Sequence, residues 1–417
     1  GIALDMDNLK VWFSLQGTYA NSGDPATGTN AIFSGITAGE IMAICGRPLN
    51  GSFNFNFGQR PFSYTPPTGF KTLCSANLPP TSPSVIRPKK HFDTLLWAGN
   101  STNNRVITGL EFQPDLVWIK KRNVTNMSHY FISSAQTYTS SGTGNGNVGA
   151  FISGTNSNET VGTTTDGGFA SFNSDGFTLG KGNNDGSGGN DAYQRMNVSG
   201  ANYVAWCWKA GGAPVTNNEG TVTASVSANP QAGFSMVKYT GSGGHVTRGH
   251  GLGRKPQWII MKTTSHSGNW WFNLDDSAIP DAGYDRNYLR IDNTAGVEGP
   301  NGNIAPSVAP DNSAAITDTI YSLGGDMNES GKEYVNYLWA SVPGYSKIGS
   351  YIGNTSADGP FIYTGFPIAW LMIKRASGTG PWNIWDISRE PNGNSKIPYC
   401  QSSRLNGEDL EEFNWHG

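Results

Sequence analysis

Residues 116–121 read LVWIKK, inside the longer stretch FQPDLVWIKKR at 112–122. Similar stretches return as RKPQWIIMKTT at 254–264 and as FPIAWLMIKRA at 366–376. In each of them apolar residues fill consecutive positions instead of every second one. This pattern predicts a central β-strand that is covered on both faces. Because the stretch occurs three times, the sequence also predicts internal repeats.

A fixed offset strengthens the assignment of repeats. The lysine near the end of each stretch lies 23 residues after an aromatic residue, and a glycine follows that aromatic residue by two positions. The lysines are Lys120, Lys262 and Lys374, the aromatic residues are Trp97, Tyr239 and Tyr351, and the glycines are Gly99, Gly241 and Gly353. An aromatic residue, a glycine and a lysine that keep one spacing in three places indicate one folding unit used three times.

A second repeated segment ends the first two repeats. NVSGANYVAWCWKA at 197–210 matches NESGKEYVNYLWAS at 328–341, while the stretch before it varies in length. A β-sandwich tolerates this variation, because its core strands define the fold and its loops absorb insertions. The spacing in the second repeat would put the third copy of this segment near residue 446, so we expect the given sequence to end inside a domain.

The composition favours an all-β protein. The 417 residues include 55 glycines and 13 tryptophans, only 14% are charged, and the net charge is -3. Many turns between aromatic segments are typical of tandem antiparallel β-sandwich domains, of jelly-roll or concanavalin A-like type. The balanced charge argues against a nucleic-acid partner. No apolar run is long enough to span a bilayer and no signal pattern is visible, so we expect a soluble protein without a membrane partner.

The repeats predict the domain boundaries. We expect half of a β-sandwich at 1–80, a linker at 81–91, a first repeat at 92–214, a linker or extra hairpin at 215–233, a second repeat at 234–345 and a partial third repeat at 346–417. The four cysteines, Cys45, Cys74, Cys207 and Cys400, lack metal-ligand spacing, and we expect reduced, buried thiols.

Two resemblances suggest a setting for this fold. The first 80 residues, with LKVWFSLQGTY at 9–19 and FNFGQRPFSYTPPTGFKTLCSANLP at 55–79, resemble the C-terminal half of SPRY-like, concanavalin-type domains of bacteriophage tail proteins. Residues 92–417, with FNSDGFTLG and YVAWCWKAGGAP, resemble a repeated lectin-like domain of marine phage tail and fibre proteins. The resemblance implies a virion protein with other virion proteins as partners, a homo-oligomer (by analogy a trimer), and attachment to a host-surface glycan.

Catalytic chemistry finds little support in the sequence. Glycoside hydrolysis needs two placed carboxylates, and the candidates are Asp275 with Asp276 and the acidic cluster Glu408, Asp409, Glu411 and Glu412. We interpret these as solvated loop acids. The acid Asp115 is replaced by Gln257 and Ala369 in the sister repeats, so the fold does not require an acid there. We therefore expect no enzyme and no cofactor.

Metal sites are also weakly indicated. His245 and His250 lie five residues apart in a glycine-rich turn, but they lack a third ligand. The oxygen-rich segment NNDGSGGND at 183–191 fails the spacing of a helix-loop-helix calcium site. We expect no metal ion to be bound.

Aromatic residues are the remaining candidates for a binding site, because sugars stack on exposed rings. We single out Trp270, Trp271, Trp382, Trp385 and Tyr193. Adjacent residues of a strand face opposite ways, so one of Trp270 and Trp271 would be accessible. The alternative for most tryptophans is a place in the core. Two other functions stay open, a glycan-degrading depolymerase and a filament of a bacterial surface adhesin.

Overall fold

The computed structural model of the chain describes residues 1–5, 8–35, 56, 60–72, 85, 87–123, 129–135, 151–152, 168–180, 196–266, 268–274, 288–298, 316–356, 359–389, 396–401 and 409–412, with the backbone alone at 151–152, 274, 396–401 and 409–412. Within these ranges the regular structure is β-strand and short 3₁₀ turns, with no α-helix. The predicted all-β class is confirmed. The chain forms two compact units, Gly1–Thr81 and Ser82–Gly417.

The described part of the first unit contains four short strands around the buried Trp12. Its strands are β1 (Ile2–Asp5), β2 (Lys10–Leu15), β3 (Thr18–Tyr19) and β4 (Phe33–Ser34). β2 pairs antiparallel with the other three. Trp12 on β2 is fully buried, and its indole nitrogen donates a hydrogen bond to the Thr29 carbonyl at 2.8 Å. This bond gives the buried indole N–H the partner that it needs.

The first repeat of the second unit is a sandwich of two antiparallel sheets. Its strands are β5 (Phe92–Ala98), β6 (Arg105–Thr108), β7 (Leu116–Lys121), β8 (His129–Ser133), β9 (Phe151–Ile152), β10 (Phe169–Asn173), β11 (Gly176–Leu179) and β12 (Asn202–Trp208). The main sheet has the order β5-β12-β7-β8-β9, and the small sheet has the order β10-β11-β6. Apolar side chains from both sheets form a core between them.

In the second repeat the main sheet has two extra strands, and the described part of the small sheet has two strands instead of three. Its strands are β13 (Val215–Asn217), β14 (Ala224–Asn229), β15 (Phe234–Thr240), β16 (Val246–Gly249), β17 (Trp258–Thr263), β18 (Trp271–Leu274), β19 (Tyr288–Arg290), β20 (Ile320–Leu323) and β21 (Glu333–Trp339). The main sheet has the order β13-β14-β15-β21-β17-β18-β19, and β16 pairs with β20 in the small sheet. Residues 215–233, expected as a linker or extra hairpin, thus supply the pair β13 and β14.

The third repeat is a single sheet in the described part of the chain. Its strands are β22 (Trp370–Lys374), β23 (Trp382–Asp386), β24 (Lys396–Gln401) and β25 (Asp409–Glu412), paired in that order. Residues 346–352, which correspond to strands β5 and β15, form no strand.

The central-strand prediction holds for two of the three repeats. β7 lies between β12 and β8, β17 lies between β21 and β18, and all six residues of each strand are buried. For β22 of the third repeat, the prediction of a buried central strand is wrong. It pairs only with β23 among the described strands, and its five residues are half-buried.

The main sheets of all three repeats meet in one aromatic core. Trp208 of the first repeat lies 5.9 Å from Trp339 of the second and 5.8 Å from Trp370 of the third, measured between ring centroids. Trp382 and Ile384 of β23 join the same cluster. The tandem repeats therefore share a core through their main sheets. One face of β7 and β17 covers their own small sheets and the other face packs against neighbouring repeats, which explains why both faces are apolar.

A buried ion pair joins the third repeat to the first. Asp386 and Arg389 have fully buried side chains, 2.5 Å apart. The indole nitrogen of Trp206 donates to Asp386 Oδ2 at 2.9 Å, and the Arg389 guanidinium lies 5.3 Å from the Trp206 ring centroid. Because a buried charge is costly unless it is paired, this arrangement depends on all three groups.

The repeated aromatic residue and glycine close each sandwich. Trp97 stacks on Tyr203 at 5.2 Å, and Tyr239 stacks on Tyr334 at the same distance. A side chain at Gly99 or at Gly241 would overlap the backbone carbonyl of the closing segment, at Val198 and at Glu329. The repeated pattern therefore marks where the end of the repeat packs onto its beginning.

An asparagine and an arginine complete this closure. Asn197 and Asn328 are buried, and each accepts a hydrogen bond from an arginine, Arg105 or Arg248. Each of these arginines also donates to a carbonyl of the opening strand. The repeated residues thus have a structural role, since these side chains hold loops in place.

Candidate functional site

The five aromatic residues expected to bind sugar differ in their exposure to solvent. Trp270, Trp382 and Trp385 are at most 4% exposed, so their rings lie in the core and are not accessible for stacking. Tyr193 lies outside the described residues. Trp271 is half-buried on the sheet face opposite to Trp270. Alternation along the strand places the two neighbouring tryptophans on opposite faces, and Trp271 is the more exposed of the two.

Trp271 lies beside two side chains from the neighbouring strand. On β19, Arg290 is the backbone partner of Trp271, and the Arg290 guanidinium lies 6.0 Å from the Trp271 ring centroid. The Tyr288 ring packs edge-on against the indole, at 4.9 Å and 82°. Antiparallel pairing brings these residues together although they are distant in sequence.

Glu298 organises the polar side of this group. It accepts hydrogen bonds from Arg290 Nε at 3.0 Å and from Asn293 Nδ2 at 3.2 Å, and Arg290 Nη2 lies 3.0 Å from the same oxygen. The side chains of Arg290 and Glu298 are 28% and 26% exposed. Burial, and next the charge of Glu298, raise the pKa of the Tyr288 hydroxyl, so this group stays protonated near neutral pH. We call Trp271, Tyr288, Arg290, Asn293 and Glu298 the Trp271 cluster.

Asp292 fixes the strand that carries the Trp271 cluster. Its Oδ2 accepts a hydrogen bond from the Trp270 backbone N–H at 3.0 Å. Burial raises the pKa of this carboxyl, and the Trp270 bond and the nearby Arg290 charge offset part of that effect. Asp292 therefore holds the start of β18 against the loop after β19.

The cluster combines an aromatic ring with charged and polar side chains. The half-buried indole packs partly against the core of the second repeat, while guanidinium, amide and carboxylate groups near it provide fixed donors and acceptors. A flat ring bordered by polar groups suits a ligand whose surface alternates between C–H faces and hydroxyl edges.

The histidine that was a candidate metal ligand contacts the backbone instead. The His250 ring accepts a hydrogen bond from the Leu252 N–H at Nδ1, and its Nε2 lies 3.2 Å from the Thr317 carbonyl, so both nitrogens face backbone groups. Burial lowers the pKa of His250. Across the described residues, no three His, Cys, Asp or Glu side chains lie close enough to share a metal ion.

The acids expected to be solvated fall largely outside the described residues. Asp275, Asp276, Glu408 and the segment 183–191 all lie there. Asp409, Glu411 and Glu412 belong to β25, where only the backbone is described. Cys207 is a buried thiol whose pKa burial raises well above its ordinary value, which makes it unreactive.

Asp115 illustrates a structural role for a candidate acid. Its Oδ2 accepts a hydrogen bond from the Ala210 N–H at 2.8 Å, just after the closing strand β12. Gln257, its counterpart in the second repeat, accepts from the Ser341 N–H at 2.7 Å in the same way. Because an amide oxygen serves as well as a carboxylate, the position needs an acceptor and not an acid.

Comparison with protein families gives one match, to a domain of unknown function, DUF7483, over residues 87–414. The chain belongs to the DUF7483 family. The match runs through all three repeats, in keeping with the single compact unit Ser82–Gly417. No curated protein and no solved structure matches the chain. No helix in the described part of this DUF7483 chain is long and apolar enough to cross a membrane.

Sequence reasoning found one member of the Trp271 cluster in this DUF7483 chain and missed four. Tyr288 and Arg290 alternate along β19 with the buried Leu289, and this short pattern is the only local signal. Glu298 reaches the group through an isolated β-bridge to Tyr288, which depends on the tertiary fold.

Proposed function

We propose that the chain is a non-catalytic structural protein of a phage particle's exterior, in a tail fibre or tail-associated position, and that it contributes to attachment to host-surface glycans. The Trp271 cluster is the observation that carries the glycan part. It is a half-buried aromatic ring with hydrogen-bonded polar neighbours at the β18–β19 side of the main sheet. The particle assignment rests on the resemblance of the repeats to lectin-like domains of phage fibres.

The scaffold suits this role. Three main sheets share one core, so a site on the second repeat is held by a body much larger than one sandwich. The low charge fits a protein whose surface contacts its own copies and other particle proteins. A homo-oligomer, by analogy a trimer, would display several copies of the Trp271 cluster. Several weak sites on one assembly raise the effective concentration and give firm attachment.

Binding to an array of bacterial surface polysaccharides tests the glycan part. We expect Trp271→Ala to weaken the binding about 30-fold, since a central aromatic anchor contributes roughly 2 kcal/mol. Tyr363→Ala is the matched control, because Tyr363 is an exposed tyrosine of the third repeat and lies outside the cluster. Trp271→Phe keeps a ring and should fall between the two. Unchanged melting temperatures would show that the variants are folded.

Two results would contradict the proposal. Equal binding by wild type and Trp271→Ala would exclude the cluster as the site. Release of new reducing ends from a bound polysaccharide would favour a depolymerase.

A further inference from the structure

The first two repeats show how a closing strand completes each main sheet. β12 lies between β5 and β7, and β21 lies between β15 and β17, antiparallel to both neighbours in each case. The register is the same in the two repeats. The first tyrosine of the closing strand lies opposite the repeated aromatic residue, as Tyr203 opposite Trp97 and Tyr334 opposite Tyr239.

The third repeat has both neighbours of such a strand but no described strand between them. Residues 346–353 correspond to β5 and the glycine that follows it, and β22 corresponds to β7. One edge of β22 pairs with β23, and no described strand pairs with the other edge. β5 pairs with β12 alone, whereas β15 pairs with β21 and also with the extra strand β14, so in the first repeat the opening strand takes its ladder hydrogen bonds from the closing strand. We call residues 346–353 and β22 together the acceptor edge.

The repeated aromatic residue and glycine, onto which a closing strand packs in the other repeats, are present on the acceptor edge and are uncovered. Tyr351 is 48% exposed and Ile352 is 84% exposed, whereas the counterpart Trp97 is 7% exposed. A side chain placed at Gly353 would meet no atom within 4 Å, while one at Gly99 or Gly241 would overlap a closing segment. The third repeat thus keeps this glycine. In the sister repeats a glycine is needed at the same position because the closing segment packs directly against it.

The acceptor edge already contributes one residue, Trp370, to the aromatic core that the repeats share. Trp208 and Trp339 end the two closing strands, and they lie opposite Leu116 and Trp258 of the central strands. Trp370 is the counterpart of those two residues, and it already contacts Trp208 and Trp258, at 5.8 Å and 6.2 Å. A third closing strand would extend the same aromatic core by one more tryptophan.

We propose that the acceptor edge binds an added closing strand of the type Asn-x-Ser-Gly-x-x-Tyr-Val-x-x-x-Trp, antiparallel to β22. The strand's tyrosine would stack on Tyr351, and its tryptophan would lie opposite Trp370. Main-chain hydrogen bonds would give affinity, as in strand addition to a sheet edge, and alternate side chains would give specificity. This inference is independent of the proposed function, because it involves a different repeat and a different ligand.

A labelled synthetic peptide with the sequence of residues 328–341 is the probe, and fluorescence anisotropy measures its binding to the full chain. Gly353→Ala is the decisive variant, since its added methyl group has open space in the chain alone but would overlap the docked strand. We expect it to bind the peptide at least 10-fold more weakly with an unchanged melting temperature. Gly349→Ala is the matched control, because this glycine also has open space and its counterparts Leu95 and Val237 carry side chains.

A second variant tests the register. Tyr351→Ala should weaken the binding about 2- to 10-fold through loss of ring stacking. A peptide of the same composition in scrambled order should not bind. Three results would overturn the proposal: no binding of the peptide to wild type, equal binding to Gly353→Ala, or a dimer that pairs β22 with β22 of a second copy while the peptide fails to bind.

Discussion

Removal of the Asp386 carboxylate tests how firmly the third repeat is joined to the first. In Asp386→Ala, the Arg389 guanidinium stays buried without its counter-ion and the Trp206 indole N–H loses its acceptor. Breaking a buried ion pair by removing one partner costs about 3–5 kcal/mol. This is a large part of the roughly 5–15 kcal/mol that is typical of a folded domain.

Urea unfolding followed by tryptophan fluorescence measures this loss. Trp12 is the only one of the 13 tryptophans in residues 1–81, so the signal reports mainly on the second unit. With a slope of about 3 kcal/mol per molar urea, the midpoint should fall by roughly 1–1.7 M.

Two matched variants separate the charge from the contact. Asp386→Asn keeps an oxygen acceptor for Trp206 and should lose less stability than Asp386→Ala. Replacing both partners, as Asp386→Leu with Arg389→Met, removes the unpaired charge and should restore part of the loss. A midpoint for Asp386→Ala within experimental error of wild type would refute the reasoning. So would a double variant less stable than Asp386→Ala alone.

Single side chains give three further predictions. Gly241→Ala should lower the melting temperature measured by calorimetry, because its methyl group overlaps the Glu329 backbone, and an unchanged value would contradict that packing. Burial raises the pKa of Asp292, so its charge costs stability above that raised pKa and costs none where the carboxyl is protonated in both states. Asp292→Asn keeps an acceptor for Trp270 and should raise the urea midpoint relative to wild type at pH 7 but not at pH 3; an equal difference at both pH values would argue against a buried charge. Burial, with the neighbouring Arg375 charge, lowers the pKa of Lys374 to about 8, so at pH 8 about half of its amine is neutral, against under ~1% for an ordinary lysine. The acetylation rate of Lys374, quantified by mass spectrometry, should therefore level off above about pH 8, and a rate that still rises about tenfold between pH 8.5 and pH 9.5 would contradict the shift.

The sequence predicted the fold well where burial is complete. Six consecutive buried positions in β7 and β17 leave an uninterrupted apolar pattern, which reads directly as a central strand. The Gly99 and Gly241 spacing likewise identified the repeats, because a steric requirement of the closing segment allows no other residue. The sequence did not predict the core that the three repeats share. Contacts such as Trp208 with Trp370 join residues of different repeats, and no local pattern encodes which sheet covers the second face of another.

The candidate site was predictable only in part, for a related reason. Alternation places Trp270 and Trp271 on opposite faces but does not say which face is covered. That depends on the packing of the third repeat, whose Trp382 and Ile384 fill the side facing Trp270. Arg290 and Glu298 join Trp271 through strand pairing and a single bridge, and neither contact has a signal in local sequence.

Immunogold electron microscopy of purified particles tests the central claim most directly. The antibody would be raised against residues 234–345, the second repeat that carries the Trp271 cluster. We predict label on the exterior of the particle, at the tail or its fibres. Particles without label, with antigen on the bacterial surface or in the medium, would contradict the account and favour the surface adhesin.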